Sequence, residues 1–136
     1  MISRASFTQG KAGARAVSEL YKLCVYVPES HAGAVKEALF AAGAGRIGNY
    51  EACCWEVAGV GQFRPGGGAD PFLGRPGELE RVPALRIELV CPGDAVDAVI
   101  TALFRSHPYE EPAWDLLRTE NQGFAAAIAR AREARP

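Results

Sequence analysis

The stretch SHPYEEP, Ser106–Pro112, decides how the rest of the chain is interpreted, because it holds one of the two histidines, two adjacent glutamates and two prolines. Each proline fixes its own φ and moves the residue before it out of the helical region. His107 and Glu111 are therefore expected to be extended. The stretch predicts a stiff corner between a helix and a strand.

The residues on either side of this corner predict the elements that it joins. Arg81–Val90 alternates apolar and charged residues, which is typical of a strand with one buried face. Asp94 is placed to cap a helix. Ala113–Arg118 predicts a short strand, and the Ala- and Arg-rich tail Phe124–Arg135 predicts a further helix. The helix before the corner carries an apolar stripe: Val96, Val99, Ile100, Leu103 and Phe104.

The first half of the chain predicts the same order of elements. Tyr21–Val27 alternates as a strand, and Ser30 is placed to cap a helix that ends at Gly43. Cys53–Phe63 predicts the second strand, in which Gly59 and Gly61 indicate a bulge or bend. The order βαββαβ predicts an α+β, ferredoxin-like sandwich over residues 19–136, with both helices on one face of the sheet.

Three separated motifs resemble one known domain. They are HPYEEPAWD (His107–Asp115), GAGRIGNY (Gly43–Tyr50) and the segment Gly61–Gly74. In this order they resemble the P-II/CutA-like domain inserted in Nif-three-like proteins (the NGG-one-interacting-factor family), over Tyr21–Asn121. A shorter match, His-Pro-Tyr-Glu, resembles the CutA family. In full-length Nif-three-like proteins the halves that flank the insert build a two-metal site, so the resemblance implies a free-standing version of the insert without that site.

Composition narrows the classes of function. The 136 residues suit one domain, and 15 basic against 16 acidic residues give a net charge of −1. This balance excludes a general field for nucleic acid. No apolar run approaches the ~20 residues that a membrane span needs. The four cysteines have no Cys-x-x-Cys spacing, which favours reduced thiols over a zinc site. We therefore expect a cytoplasmic protein with no nucleic-acid or membrane partner.

Two segments have little regular patterning. Residues 1–18 are basic, carry no acid and lack sustained periodicity, which predicts a flexible N-terminal arm. Arg64–Gly77 is a long, Gly/Pro-rich loop between the second and third strands, and loops longer than about 12–15 residues in a compact domain tend to be functional or disordered. We expect Phe72 to pin the middle of this loop.

Polar residues of the three motifs are the candidate ligand-binding residues. The alternative is a rigid corner, in which His107 and Tyr109 bond to backbone and one carboxylate pairs with an arginine such as Arg64 or Arg46. A divalent metal on His107 and Glu110 is a weaker alternative, because ligands so close in sequence seldom converge on one ion. The candidates are Arg46, Tyr50, Arg64, Asp70, His107, Tyr109, Glu110 and Glu111.

Neither catalysis nor dinucleotide binding has a local signature. Gly43-x-Gly45-x-x-Gly48 matches the dinucleotide fingerprint in letters, but a helix precedes it and a strand follows, which is the reverse of the required order. Motifs such as Gly-x-Ser-x-Gly and His-Glu-x-x-His are absent from the sequence. The sequence therefore predicts a non-catalytic binding or regulatory module, with no cofactor except for the possible divalent metal. A small metal-binding protein or a metal-dependent hydrolase is the alternative.

One face of the sheet is expected to need a cover. Its predicted side chains are too apolar for full exposure and too charged for a monomer core, so another subunit or the long loop would cover them. The resemblance implies a trimer, since CutA and P-II proteins assemble through this kind of sheet, with a dimer as the next choice. A small molecule or another protein is the further expected partner. The predicted open-face residues are Lys22, Cys24, Tyr26, Arg86 and Glu88.

Overall fold

The computed structural model describes residues 19–136, so the predicted arm at residues 1–18 lies outside the described residues. Within this range four strands and three α-helices follow one another in the predicted order. A single 3-10 turn immediately precedes each α-helix. The elements are β1 (Leu20–Pro28), α1 (Ala32–Ala41), β2 (Trp55–Phe63), β3 (Glu80–Pro92), α2 (Val96–Ser106), β4 (Trp114–Arg118) and α3 (Ala125–Glu133).

The four strands form one sheet in the order β2-β3-β1-β4, and every neighbouring pair is antiparallel. The crossover from β1 to β2 through α1 passes β3, and the crossover from β3 to β4 through α2 passes β1. Both helices therefore cover the same face of the sheet. The predicted α+β, ferredoxin-like sandwich is confirmed.

The core lies between this face and the two helices. Leu23, Val25 and Val27 of β1 are fully buried, as is Ile87 of β3. They pack against buried side chains that α1 and α2 present at helical spacing. Full burial of one such side chain contributes about 1.5–3 kcal/mol, so this layer holds most of the stability. The helix side chains are Val35, Leu39, Val96, Val99 and Leu103.

The predicted helix caps are wrong. Neither Ser30 nor Asp94 caps a helix with its side chain, and the Ser30 hydroxyl instead lies 2.8 Å from Nδ1 of His31. A 3-10 turn precedes each helix, and its last backbone bond runs from Ala32 N–H to the Glu29 carbonyl, with an equivalent bond before α2. These tightened turns occupy backbone groups that a side-chain cap would otherwise satisfy.

Strand β2 begins two residues later than predicted, at Trp55, because Ala52 lies in the left-handed region (φ 57°) and interrupts the extended chain. The strand pairs only with β3, so it forms an edge of the sheet. Pairing with β3 continues past Pro28, the last residue of β1, which pairs with Ala84. We call the protruding part of β2 and β3, Val60–Phe63 with Glu80–Pro83, the hairpin arm.

Candidate functional site

His107 fixes the corner to the sheet. Its backbone is extended (φ −76°, ψ 135°), as predicted, and its side chain is only 5% exposed. The ring nitrogen Nδ1 accepts the Tyr109 N–H at 3.1 Å, so the proton is on Nε2, which donates to the Tyr26 carbonyl at 2.7 Å. The imidazole therefore joins the end of α2 to strand β1.

The bonding of His107 also sets its charge state. Burial lowers the pKa of His107, and the bond to the Tyr26 carbonyl opposes this only in part. The ring is neutral, and each nitrogen already has a partner. A metal at His107 would have to displace one of these bonds, so the geometry argues against the His107–Glu110 metal alternative.

The two adjacent glutamates have different surroundings. Oε1 of Glu110 accepts the backbone N–H of Asp70 at 3.0 Å, which connects the corner to the long loop. Glu111 bonds to no other residue in the range 19–136, and neither glutamate reaches Arg64 or Arg46. A carboxylate is engaged, as the rigid-corner alternative requires, but its partner is a backbone amide and not an arginine.

Aromatic rings close the space between the loop and the corner. Tyr109 lies 5.0 Å from the His107 ring, 5.7 Å from Phe63 and 6.4 Å from Phe72, measured between centroids. Phe72 also contacts the ring of His31 edge-on at 5.2 Å. The Phe72 ring thus contacts the start of α1 and the corner but remains 48% exposed, so the pinning of the loop stays a prediction.

A cavity of about 620 Å³ lies between the long loop, the hairpin arm and the corner. Such a volume falls within the usual range for small-molecule sites, roughly 300–1,000 Å³. Its walls are mainly apolar, and Pro65, Phe72 and Leu85 are among them. Four charged side chains also line it: Arg64, Arg86, Glu110 and Glu111.

The cavity gathers only part of the predicted ligand set. Arg64, Tyr109, Glu110 and Glu111 line it, His107 lies buried behind it, and Asp70 supplies a backbone amide to Glu110. Arg46 and Tyr50 do not line it. They lie in an exposed turn after α1 that is closed by the bridge between Ile47 and Tyr50.

Sequence reasoning missed several residues of the cavity. Tyr26 and Arg86 were assigned to the open face only, yet they also line the cavity. Gly59 and Gly61 line it as well. Of the bulge or bend predicted from them, the bulge is wrong, because β2 pairs with β3 without interruption from Trp55 to Phe63. The sequence signal that could have indicated this wall of the cavity was the presence of glycine at two positions on the same face of one strand.

The predicted open-face residues do share one side of the sheet. The register places Tyr26 opposite Arg86 and Cys24 opposite Glu88, and no helix covers this side within the described part of the chain. Nε of Arg86 lies 3.0 Å from Glu88 and 3.3 Å from the Cys24 sulfur. Large apolar side chains lie on the same face and remain exposed: Trp55 (68%), Val57 (49%) and Leu117 (59%).

Residues 19–136 hold neither a cluster of metal ligands nor a membrane-spanning helix. No three His, Cys, Asp or Glu side chains in this range lie close enough together to hold a metal ion. The described residues therefore do not fit the two-metal centre of the Nif-three-like family. No helix in the same range is long and apolar enough to cross a membrane.

Comparison with known proteins identifies relatives. A protein of Halalkalibacterium halodurans named GTP cyclohydrolase 1 type 2 homolog is 46% identical over 111 residues, which is 82% of this chain and 30% of that protein. One of the same name from Mycobacterium leprae is 50% identical over 100 residues, 74% of this chain and 26% of its own length. A crystal structure of a Bacillus cereus protein related to NIF3 matches with a TM-score of 0.66 and 43% identity, covering 76% of this chain and 26% of that one.

The chain is a homologue of a segment of Nif-three-like proteins. It spans under a third of the length of the curated relatives that it matches. CutA from Xylella fastidiosa, with a TM-score of 0.54 and 19% identity, covers 74% of this chain and 83% of that one, and shows the shared fold alone. No protein-family model matches the chain.

Proposed function

We propose that this Nif-three-like segment works as a non-catalytic, oligomeric binding or regulatory module for a small molecule or another protein. The cavity between the loop, the hairpin arm and the corner carries this proposal, because apolar walls with a few polar groups are typical of ligand sites. His107 is committed to holding the corner, so it is not available as a general base.

Self-association is part of the proposal. Trp55, Val57 and Leu117 give the open face an exposed apolar surface around an ion-paired centre, which another subunit would bury. The resemblance to CutA and P-II proteins favours a trimer, with a dimer next. We place the module in the cytoplasm, where the four free thiols would stay reduced.

Light scattering at micromolar concentration tests the self-association. We expect a multiple of the 14.5 kDa chain mass, and Val57→Asp should lower it because the new carboxylate would be buried in the interface. Ile47→Asp is the matched control, since Ile47 is 56% exposed but lies in the turn after α1, outside the four strands of the sheet. A wild-type mass of 14.5 kDa would contradict oligomerisation.

Metal content separates the proposal from its alternative, a metal-binding protein or a metal-dependent hydrolase. Inductively coupled plasma analysis of purified, untagged protein should find divalent metal well below one ion per chain. A stoichiometric metal that His107→Ala removes would favour the alternative, because the neutral imidazole would then be a ligand and not a structural group.

A further inference from the structure

Gly59 and Gly61 line the cavity at positions where the chain's own structure does not require glycine. Neither has a positive φ, unlike Gly43, Gly45 and Gly48. A Cβ added at Gly59 would meet nothing within 4 Å, and one added at Gly61 would make only ordinary contacts with Val82 and Ala84, at 3.8 and 3.9 Å. Glycine inside a strand costs about 0.5–1 kcal/mol relative to alanine. The two glycines therefore destabilise the strand slightly, and no feature of the fold requires them.

Bare strand backbone allows something else to approach closely. Gly59 and Gly61 lie on one side of β2, and Gly59 pairs with Ala84 of β3, so these three residues form a floor without large side chains. Two same-face positions of a strand are about 7 Å apart, so the floor is long enough for a ring system to lie flat. The aromatic side chains of Tyr26, Phe72 and Tyr109 line the same cavity.

Two charges that are unpaired within residues 19–136 line the cavity, the cation of Arg64 and the carboxylate of Glu111, and Arg64 is the group that can bind an anion on the ligand. Nε of Arg86 is already engaged by Glu88 and Cys24, and Glu110 is bonded to the loop amide. Arg64 lines the cavity and pairs with no other residue of the described range. A free guanidinium can bind a carboxylate through two parallel bonds, and its planar face also stacks on aromatic rings.

We propose that the floor of Gly59, Gly61 and Ala84 binds a planar aromatic ring system that carries a carboxylate, with Arg64 as the partner of the carboxylate. This proposal rests on the binding function proposed above and names the class of ligand. The two glycines allow the ring to touch the backbone of β2, and Arg64 fixes its orientation from the loop side.

Three probes that differ in one property at a time test the proposal by isothermal titration calorimetry. Naphthalene carboxylate is planar and anionic, decalin carboxylate is anionic but saturated, and naphthalene carboxamide is planar but neutral. We expect naphthalene carboxylate to bind about tenfold or more tightly than either of the others, since loss of shape fit or of a charged partner has effects of this size.

Two variants test the assigned residues. Gly59→Val puts a branched side chain on the floor, and its Cβ meets nothing within 4 Å, so the affinity for naphthalene carboxylate should fall about tenfold or more while the melting temperature stays equal or rises. Gly33→Val is the matched control, because a Cβ at Gly33 on α1 also meets nothing and this residue lies outside the cavity. Arg64→Gln should lower the affinity for naphthalene carboxylate and leave the affinity for naphthalene carboxamide unchanged.

Three results would overturn the proposal. Equal affinity for the planar and saturated acids would contradict planarity, and unchanged binding by Gly59→Val would contradict the floor. If Gly59→Val lowers the mass in light scattering and leaves probe binding intact, the glycines contact the backbone of a second copy of this chain and not the aromatic ring of a ligand. Each of these results leaves self-association and the metal alternative to their own tests, light scattering and metal content.

Discussion

Strands β1 and β2 are both nine residues long, but their surroundings differ completely. Six residues of β1 are buried, and four of them, Tyr21, Leu23, Val25 and Val27, lie in the core beneath the helices, whereas no residue of β2 is buried. The central strand supplies apolar surface to the core, and the edge strand supplies one wall of the cavity. Stability and proposed binding therefore lie in different parts of one sheet.

The largest expected effect comes from removing core volume on the stable side. Leu39→Ala deletes a fully buried side chain of α1 and should lower the free energy of unfolding by about 2–5 kcal/mol. Val60→Ala in the hairpin arm, at a residue that is 59% exposed, should change it by about 0.5 kcal/mol or less. Urea denaturation measures both, and similar losses would show that the arm contributes to the core.

His107 lies where the two regions meet, and its removal should have the next largest effect. His107→Ala leaves the Tyr26 carbonyl and the Tyr109 N–H, whose bonds to the ring are part-buried, without their partner, which should cost about 1–3 kcal/mol. His31→Ala is the control, because His31 is less buried and its one hydrogen-bond partner is the exposed Ser30. If His107→Ala keeps the wild-type urea midpoint, the corner is held by other contacts.

The same histidine predicts a dependence of stability on pH. Its pKa is lowered in the folded protein, so between the folded pKa and the unfolded value of about 6.5 the unfolded chain binds more protons. Stability should be complete above pH ~6.5 and should fall as the pH drops through that window. Urea midpoints measured across this range should show a weaker decline for His107→Gln, and an unchanged slope would assign the effect to another group.

The sequence predicted the stable half well because periodicity records which face of an element is buried. Tyr21–Val27, Arg81–Val90 and the stripe of α2 all fall on the elements expected, and the order βαββαβ follows from them. The cap predictions failed because backbone bonds of the 3-10 turns can replace those of Ser30 and Asp94. Periodicity carries no information about that choice.

The cavity could be predicted only in part. The corner could be predicted from the sequence because the prolines around His107 restrict the backbone locally. The partner of Glu110 is an amide 40 residues earlier in the chain, and such a contact depends on how the loop folds back. Gly59 and Gly61 were misread as a bulge, because a missing side chain shows its use only when its neighbours are known.

The smallest expected effect separates the two glutamates of the corner. Glu110→Ala removes the acceptor for the Asp70 amide, and because Glu110 is exposed the loss should be about 0.5 kcal/mol or less, confined to the loop. Native-state chymotrypsin digestion reports this local opening as faster cutting after Phe72 in the loop, while the urea midpoint stays nearly unchanged. Glu111→Ala is the matched control, because Glu111 lines the same cavity but has no such bond. Equal acceleration by both variants would mean that the loop is held by the charge of the corner, and the single bond to Asp70 would lose its assigned role.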